Sequence, residues 1–413
     1  MNRLKNIRIS EIYYPLIAIA YAATLIFSSM RPGVCGAVLM LIVLAESIVR
    51  KDLKTWHTSD IIAAAFFAYQ TLSVIWLIRA GYPLSVFLQE FISSTLPMVF
   101  YIVGRSAGGR TGKWYAAYIY AIAFLGIVGM VMYILAPQFY CDWAYRWSYI
   151  SKADAATMRV RMHSVVGSTC LSFLSVAGML AASFFLTDHD DNVSAATSER
   201  RSGKRVAFAV FFMALCLLIA IMANQRSGLV AAAFVLVYVN YLLFFRLDLI
   251  PKRYFVIEII TVVILFFGVS FVRFDFILKF WYRIISLPTA VSQRSEQWVA
   301  AVNNMYSSWI GNGLGANGHR AIGIEDAHVI ADGGLVKLYC ENGVLGFSLW
   351  VYLMILALSG GIKNIRKHYA EVGIVTVAIL QSIGSNMLAF QICAPVFWFA
   401  VGRCCIDDAK NEK

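Results

Sequence analysis

The sequence predicts an all-α polytopic membrane protein of about twelve transmembrane helices, and three observations lead there. Of 413 residues, 60% are hydrophobic and only 14% charged, whereas soluble domains carry roughly a quarter charged residues. Apolar runs recur along the whole chain at lengths that, with about 1.5 Å of rise per residue, approach the roughly 30 Å hydrocarbon core. These runs are continuous and lack the alternating pattern of membrane barrel strands. Composition and patterning thus exclude a soluble domain and a β-barrel.

Breaks at charges, Gly and Pro place spans near 12–30, 34–49, 61–78, 84–103, 114–135, 164–186, 206–223, 227–245, 254–272, 334–359, 372–386 and 388–402. The first is long enough to stay in the membrane and so does not read as a cleaved signal peptide. With Arg3, Lys5 and Arg8 inside, the basic groups around Lys51, Arg110, Arg201, Lys252 and Arg366 all fall in cytoplasmic loops, as the positive-inside rule requires. Both termini are then cytoplasmic. Residues Asp188 to Ser198 read as a solvated cytoplasmic linker. Cys35, Cys170, Cys216 and Cys393 lie inside apolar runs, where they act as small hydrophobes rather than as a disulfide or zinc framework.

The chain reads as a single membrane domain, 1–413, with two long outer segments at 136–163 and 273–333. Loops this long are usually functional or disordered, and these are rich in Trp, Tyr and Arg, so an ordered cap is expected. The outer side also carries Arg31, Arg79, Arg146, Lys152, Arg159, Arg161, Arg226, Arg273, Lys279, Arg283, Arg294 and Arg320. Topology alone would deplete that face of positive charge. Guanidinium groups fork onto phosphate or carboxylate oxygens, so a cluster of them fits a phosphorylated or carboxylated ligand.

Arg226 sits in the very short connection Asn224-Gln225-Arg226-Ser227-Gly228, at a depth where an ionisable group is expected to be functional; the plainer reading is an arginine snorkelling to lipid headgroups. Arg159, Arg161 and His163 precede the sixth span, either as ligand contacts or as a surface anchor. Arg294 and Trp298 fit an amphipathic surface helix, with Arg294 solvated and Trp298 packed. Gly311-Asn312-Gly313-Leu314-Gly315 is a glycine-rich turn that follows no strand, which rules out a nucleotide fingerprint. The stretch Glu325 to Gly333 crowds three carboxylates and His328 before the tenth span. Should that helix start early, His328 and Asp332 share a face at i,i+4 and are candidate general bases for a hydroxyl; alternatively, Asp332 only caps the helix. Lys337 and Glu341, also i,i+4, are placed to neutralise each other in a structural role.

Taken in order, Gln225-Arg226-Ser227-Gly228, the late outer loop with Arg294 and Trp298, Gly311-x-Gly313-x-Gly315, and Glu341-Asn342-Gly343-Val344-Leu345-Gly346 resemble the bacterial O-antigen polymerase and O-antigen ligase superfamily over about the last 190 residues. In the ligase branch a His-Asn pair stands nine residues before the Gly-x-x-Gly; here that spacing lands on Asp332-Gly333, and His328 lies four residues early. The departure favours the polymerase branch. The resemblance implies a C-type glycosyltransferase-like bundle with a helical periplasmic cap in the bacterial inner membrane. It implies undecaprenyl-pyrophosphate-linked glycans as substrates, and neither metal nor cofactor. By motif position, Arg226 and Arg294, and less closely Arg159 and Arg161, would hold the pyrophosphate, with Asp332 or His328 as the base. Besides the lipid bilayer, a polysaccharide chain-length regulator is a candidate partner; no nucleic acid is expected. The alternatives are a ligase, a capsule or exopolysaccharide polymerase, a twelve-span transporter or flippase, and a non-enzymatic scaffold. Transporters place charges at the midplane and carry repeats, whereas this chain concentrates its unexplained charges at one face.

Overall fold

The protein is described here from a computed structural model covering residues 8–27, 29–53, 55–148, 161–187, 195–247 and 287–406, with isolated positions between 256 and 285. Every regular element among the described residues is helical. In chain order they are α1 (Ile9–Ala23), α2 (Pro32–Arg50), α3 (Thr58–Arg79), α4 (Leu84–Ser106), α5 (Gly108–Leu135), α6 (Pro137–Ser148), α7 (Ser168–Thr187), α8 (Ala195–Ala223), α9 (Arg226–Arg246), α10 (Leu287–Asn303), α11 (Gly334–Lys363), α12 (Ile365–Gly384) and α13 (Ala394–Cys404). Among the described residues, eight helices are long and apolar enough to cross a membrane: α2 to α5, α7, the Gly203–Ala223 part of α8, α9 and α11. Their outer faces leave Val49, Phe211, Val237 and Ile355 exposed. Large apolar side chains facing outward on so many helices are stable against lipid and not against water. The chain is a polytopic helical membrane protein.

The bundle is built around α7 and α13. Fifteen of the 20 residues of α7, and all eleven of α13, are buried, as expected of helices that are apolar on all sides and packed within protein. Glycines set a close crossing between α4 and α13. A Cβ at Gly104 would overlap the Phe399 carbonyl, and one at Gly402 the Tyr101 carbonyl. Small residues on both partners let the backbones meet where no hydrophobic force drives helices together. Trp114 of α5 stacks on Phe399 at 3.8 Å between ring centroids, fixing the third helix at this centre.

Two expected spans take a different form. The run 388–402 contains the irregular segment from Ser385 to Cys393, with one short turn at Met387–Ala389, followed by the 11-residue α13. Its apolar residues are buried by protein, so hydropathy counted core as lipid contact. Side-chain hydrogen bonds tie this segment to its neighbours. Asn386 Nδ2 donates to the carbonyls of Ile330 (2.6 Å) and Ala331 (3.1 Å), Gln391 Nε2 to Gly33 (3.0 Å), and the Tyr14 hydroxyl to Ile392 (3.1 Å). Irregular backbone inside a membrane bundle needs such partners. The first span is the 15-residue α1, shorter than 12–30. The run 254–272 falls almost wholly outside the described residues, and the linker expected from Asp188 to Ser198 is described only from Ala195, where α8 has begun.

The glycine motifs prove to be two halves of one junction. Gly343 breaks α11 with φ 59°, which frees helical carbonyls and amides. The loop before Gly315 fills the gap: Asn312 N donates to Cys340 O (2.8 Å), Gly313 N to Glu341 O (2.9 Å), Val344 N to Ser308 O (2.9 Å) and Leu345 N to Trp309 O (3.1 Å). At Gly311, with φ +76°, a Cβ would lie 2.5 Å from the Glu341 carbonyl group, so that close approach requires glycine. Gly346 makes room for the Tyr69 ring, whose hydroxyl donates to Asn342 O at 2.7 Å. Beneath the junction, Lys337 Nζ reaches Glu90 Oε1 at 2.7 Å and Glu341 Oε2 at 2.9 Å, all buried. The expected Lys337–Glu341 pair is present, and Glu90 of α4 joins it.

Candidate functional site

Five segments converge at one end of the bundle: the stretch from Arg161 to Thr169 before and into α7, the first residues of α9, helix α10, the start of α11, and the end of α12. α7, α9 and α11 all begin there, so three helix N-termini present their positive dipole ends to the same region.

The connection between α8 and α9 turns in two residues, with Asn224 in the left-handed region at φ 48°. Gln225 is the bracket of this turn. Its Oε1 accepts from Arg161 Nη1 at 3.2 Å and its Nε2 donates to Thr169 Oγ1 at 2.6 Å. Met162 N donates to Met222 O at 2.9 Å and the Tyr140 hydroxyl to Arg161 O at 3.0 Å, locking the pre-α7 segment against α8 and α6. Burial pushes the Arg161 guanidinium pKa down, and the charges of Arg226 and Arg294 push it the same way while Asp332 opposes them. Arg161, Arg226, Arg294 and Asp332 therefore share one electrostatic neighbourhood. Next to it, burial and then the Arg161 charge lower the His163 pKa to about 4.

Arg294 and Trp298, four apart on α10, lie on one face and grip Asp332 from two sides. Arg294 Nη2 bonds Asp332 Oδ2 at 2.7 Å, and Trp298 Nε1 donates to the Asp332 carbonyl at 2.7 Å. Gly333, with φ +128°, leaves room for the indole, which a Cβ would meet at 2.5 Å. Ala301, Ile330 and Cys340 form a small core that anchors α10 to α11. The structure therefore differs from the surface-helix reading, in which Arg294 is solvated. Across the site, a Cβ built on Gly384 would sit 3.9 Å from Ser227 Cβ and 4.0 Å from Arg294 Nη1. The start of α9 and the Arg294 guanidinium thus flank the same point at the end of α12.

His328 is not a partner of Asp332 in the expected sense. Helix α11 starts at Gly334, behind a non-helical Gly333, so no i,i+4 face joins the two residues. His328 instead lines a separate cleft with Tyr82, Tyr306, Glu325 and Asp326. Nor does Asp332 cap α11, whose N-cap is Gly333 without a side-chain bond; its carboxylate is turned to Arg294. Arg159 lies outside the described residues.

Sequence reasoning missed His319. Its ring lies 6.5 Å from that of Phe390, and its pKa is lowered by partial burial and then by Lys337, with Glu90 and Asp332 acting oppositely. No local pattern marked it, because its position depends on how the Gly311–Gly318 loop folds into α11. Below the site a small cavity of about 60 Å³ is lined by Gly334, Lys337, Glu341, Ser382 and Asn386 among others. Among the described residues no set of three His, Cys, Asp or Glu is placed to hold a metal ion. No protein-family model matches this chain, and no curated protein matches it.

Proposed function

We propose that this chain is a periplasmic-face glycosyltransferase of the O-antigen polymerase type, joining undecaprenyl-pyrophosphate-linked repeat units into a polysaccharide. The reading rests on one observation: Arg226, Arg294 and Asp332, from three further segments, all act electrostatically on Arg161 at a single end of a helical membrane bundle. Several guanidinium groups there suit a diphosphate at the lipid boundary, and three helix N-termini add the same sign of field. The proposal includes a twelve-span, C-type glycosyltransferase-like bundle in the bacterial inner membrane. It also includes a helical cap from the loops at 136–163 and 273–333, cytoplasmic termini, and a chain-length regulator as partner.

In this reading the acceptor hydroxyl oxygen attacks the anomeric carbon of the lipid-linked glycan. The bond from that carbon to phosphate oxygen breaks, and the pyrophosphate leaves with the electron pair. Fixed cations are most effective where such charge develops, and Arg226, Arg294 and Arg161 supply them. Asp332 takes the hydroxyl proton. Arg294 occupies one of its oxygens, and a carboxylate has about four lone-pair sites, so acceptor capacity remains.

The test is genetic. Deletion is expected to leave a single repeat unit on lipid A-core, whereas complete loss of glycan there would identify a ligase. Arg226→Ala and Arg294→Ala, at unchanged protein level, are expected to abolish long chains; normal chain-length ladders from both would overturn the mechanism.

A further inference from the structure

A cleft of about 330 Å³ opens beside the arginine site, walled by Tyr82, Asn304, Tyr306, Glu325, Asp326 and His328. Its volume falls within the roughly 300–1,000 Å³ of small-molecule sites. We propose that this cleft is a glycan subsite that takes neutral or amino sugars and rejects acidic ones; the proposal rests on the polymerase reading and specifies its substrate class.

The chemistry of the walls differs sharply from that of the arginine site. Neither Lys nor Arg lines the cleft, and two carboxylates do. Such a site repels phosphate and uronate, and accepts hydroxyl or ammonium donors. Tyr82 and Tyr306 add apolar ring faces with a polar tip, suited to the apolar face and hydroxyl edge of a pyranose. Burial, then the charges of Glu341 and Asp326, raise the Tyr82 pKa, so its phenol stays a neutral donor. Glu325, Asp326 and His328 do not converge as metal ligands among the described residues, which sets a cation site aside.

The cleft is also pre-built. Asn312 Oδ1 accepts from Tyr306 N at 2.6 Å, Asn312 Nδ2 donates to Asn317 Oδ1 at 2.9 Å, and Asn317 Nδ2 donates to His328 O at 2.8 Å. This relay ties the Tyr306 wall to the His328 wall, so binding orders little that is not already ordered. Asp326 is held at φ 60°, a strained conformation for a residue with a side chain and one that clusters at functional sites. From His328 to Asp332 the chain spans at most about 14 Å. A sugar in the cleft and a diphosphate at Arg294 are therefore within reach of one oligosaccharide.

Saturation-transfer difference NMR on the full chain in nanodiscs tests this, with chitotriose, the chitosan trimer and trigalacturonic acid as probes. Transfer is expected to chitotriose and the chitosan trimer, and at least about tenfold weaker to trigalacturonate. Tyr306→Ala should abolish transfer to chitotriose, while the double variant Glu325→Gln/Asp326→Asn should admit trigalacturonate. Equal or stronger transfer to trigalacturonate in the parent protein, absence of transfer to any probe, or a double variant with unchanged discrimination would overturn the subsite. Should Tyr306→Ala fail to fold, the double variant decides alone. Binding of undecaprenyl pyrophosphate, measured separately on Arg226→Ala, reports on the polymerase reading. Its persistence there would sink that reading while leaving the sugar result standing.

Discussion

The two ends of the helix bundle treat arginine differently. At the end away from the candidate site, four arginines are matched to carboxylates: Arg8 to Asp52 at 3.2 Å, Arg50 to Glu46 at 3.0 Å, Arg110 to Glu11 at 3.1 Å, and Arg105 to Asp60 through two bonds of 2.9 and 3.1 Å. The Arg105–Asp60 pair is nearly sealed, with side chains 8% and 1% exposed, whereas Arg294 and Asp332 are 30% and 38% exposed. At the candidate site Arg161 bonds an amide oxygen, and its electrostatic neighbours are two arginines and one aspartate. One end uses charge to hold helices together. At the other, Arg226, Arg294 and Asp332 lie in the neighbourhood of Arg161, a local excess of positive charge among these four residues that an anionic ligand would stabilise.

That contrast can be broken by substitution. The largest effect is expected in the interior, where one ammonium serves two buried carboxylates. Lys337→Met strands Glu90 and Glu341 together out of water, and should lower stability by about 3–5 kcal/mol, read as the melting temperature in detergent. Arg105→Ala is expected to follow, toward the lower end of that same range of roughly 3–5 kcal/mol, because Asp60 keeps the Tyr101 hydroxyl at 2.7 Å as a partner. At the other end the pattern should invert. Arg294→Ala, in a half-exposed pair, should change stability by less than about 1 kcal/mol yet reduce chain extension by about 10²–10³-fold; a large melting shift with full chain length would erase the distinction between the two ends. Arg294→Lys should lose about tenfold, since charge survives but the planar fork does not.

The remaining effect concerns pH. His163 has a folded pKa of about 4 against an ordinary 6.5, so below pH 6.5 the unfolded chain binds a proton that the folded one refuses. The associated stability is full above 6.5 and is lost as pH falls towards 4. Thermal melts across that window should show the decline, and His163→Gln should flatten it.

Legibility in the sequence followed the range of the interactions. Arg226 and Gln225 were visible because a two-residue turn between apolar runs is a local fact. The partnership of Arg294 with Asp332 was not, since 38 residues separate them and an exposed amphipathic helix gives the same pattern. The i,i+4 reading of His328 requires an early helix start, which Gly333 at φ 128° does not allow. The glycines of 311–315 and 343–346 stood out as motifs, but nothing in either indicated that one loop completes the broken hydrogen bonds of the other.

Taken alone, the sequence determined that this chain is helical and lies in a membrane, because apolar run length and scarcity of charge are properties of composition that no packing can reverse. It also determined where short turns carry arginine. Only the tertiary structure decided which apolar helices face lipid and which, like α13, are core, because hydrocarbon and protein interior select the same residues. It alone decided which distant charges meet, since ion pairing depends on separation in space.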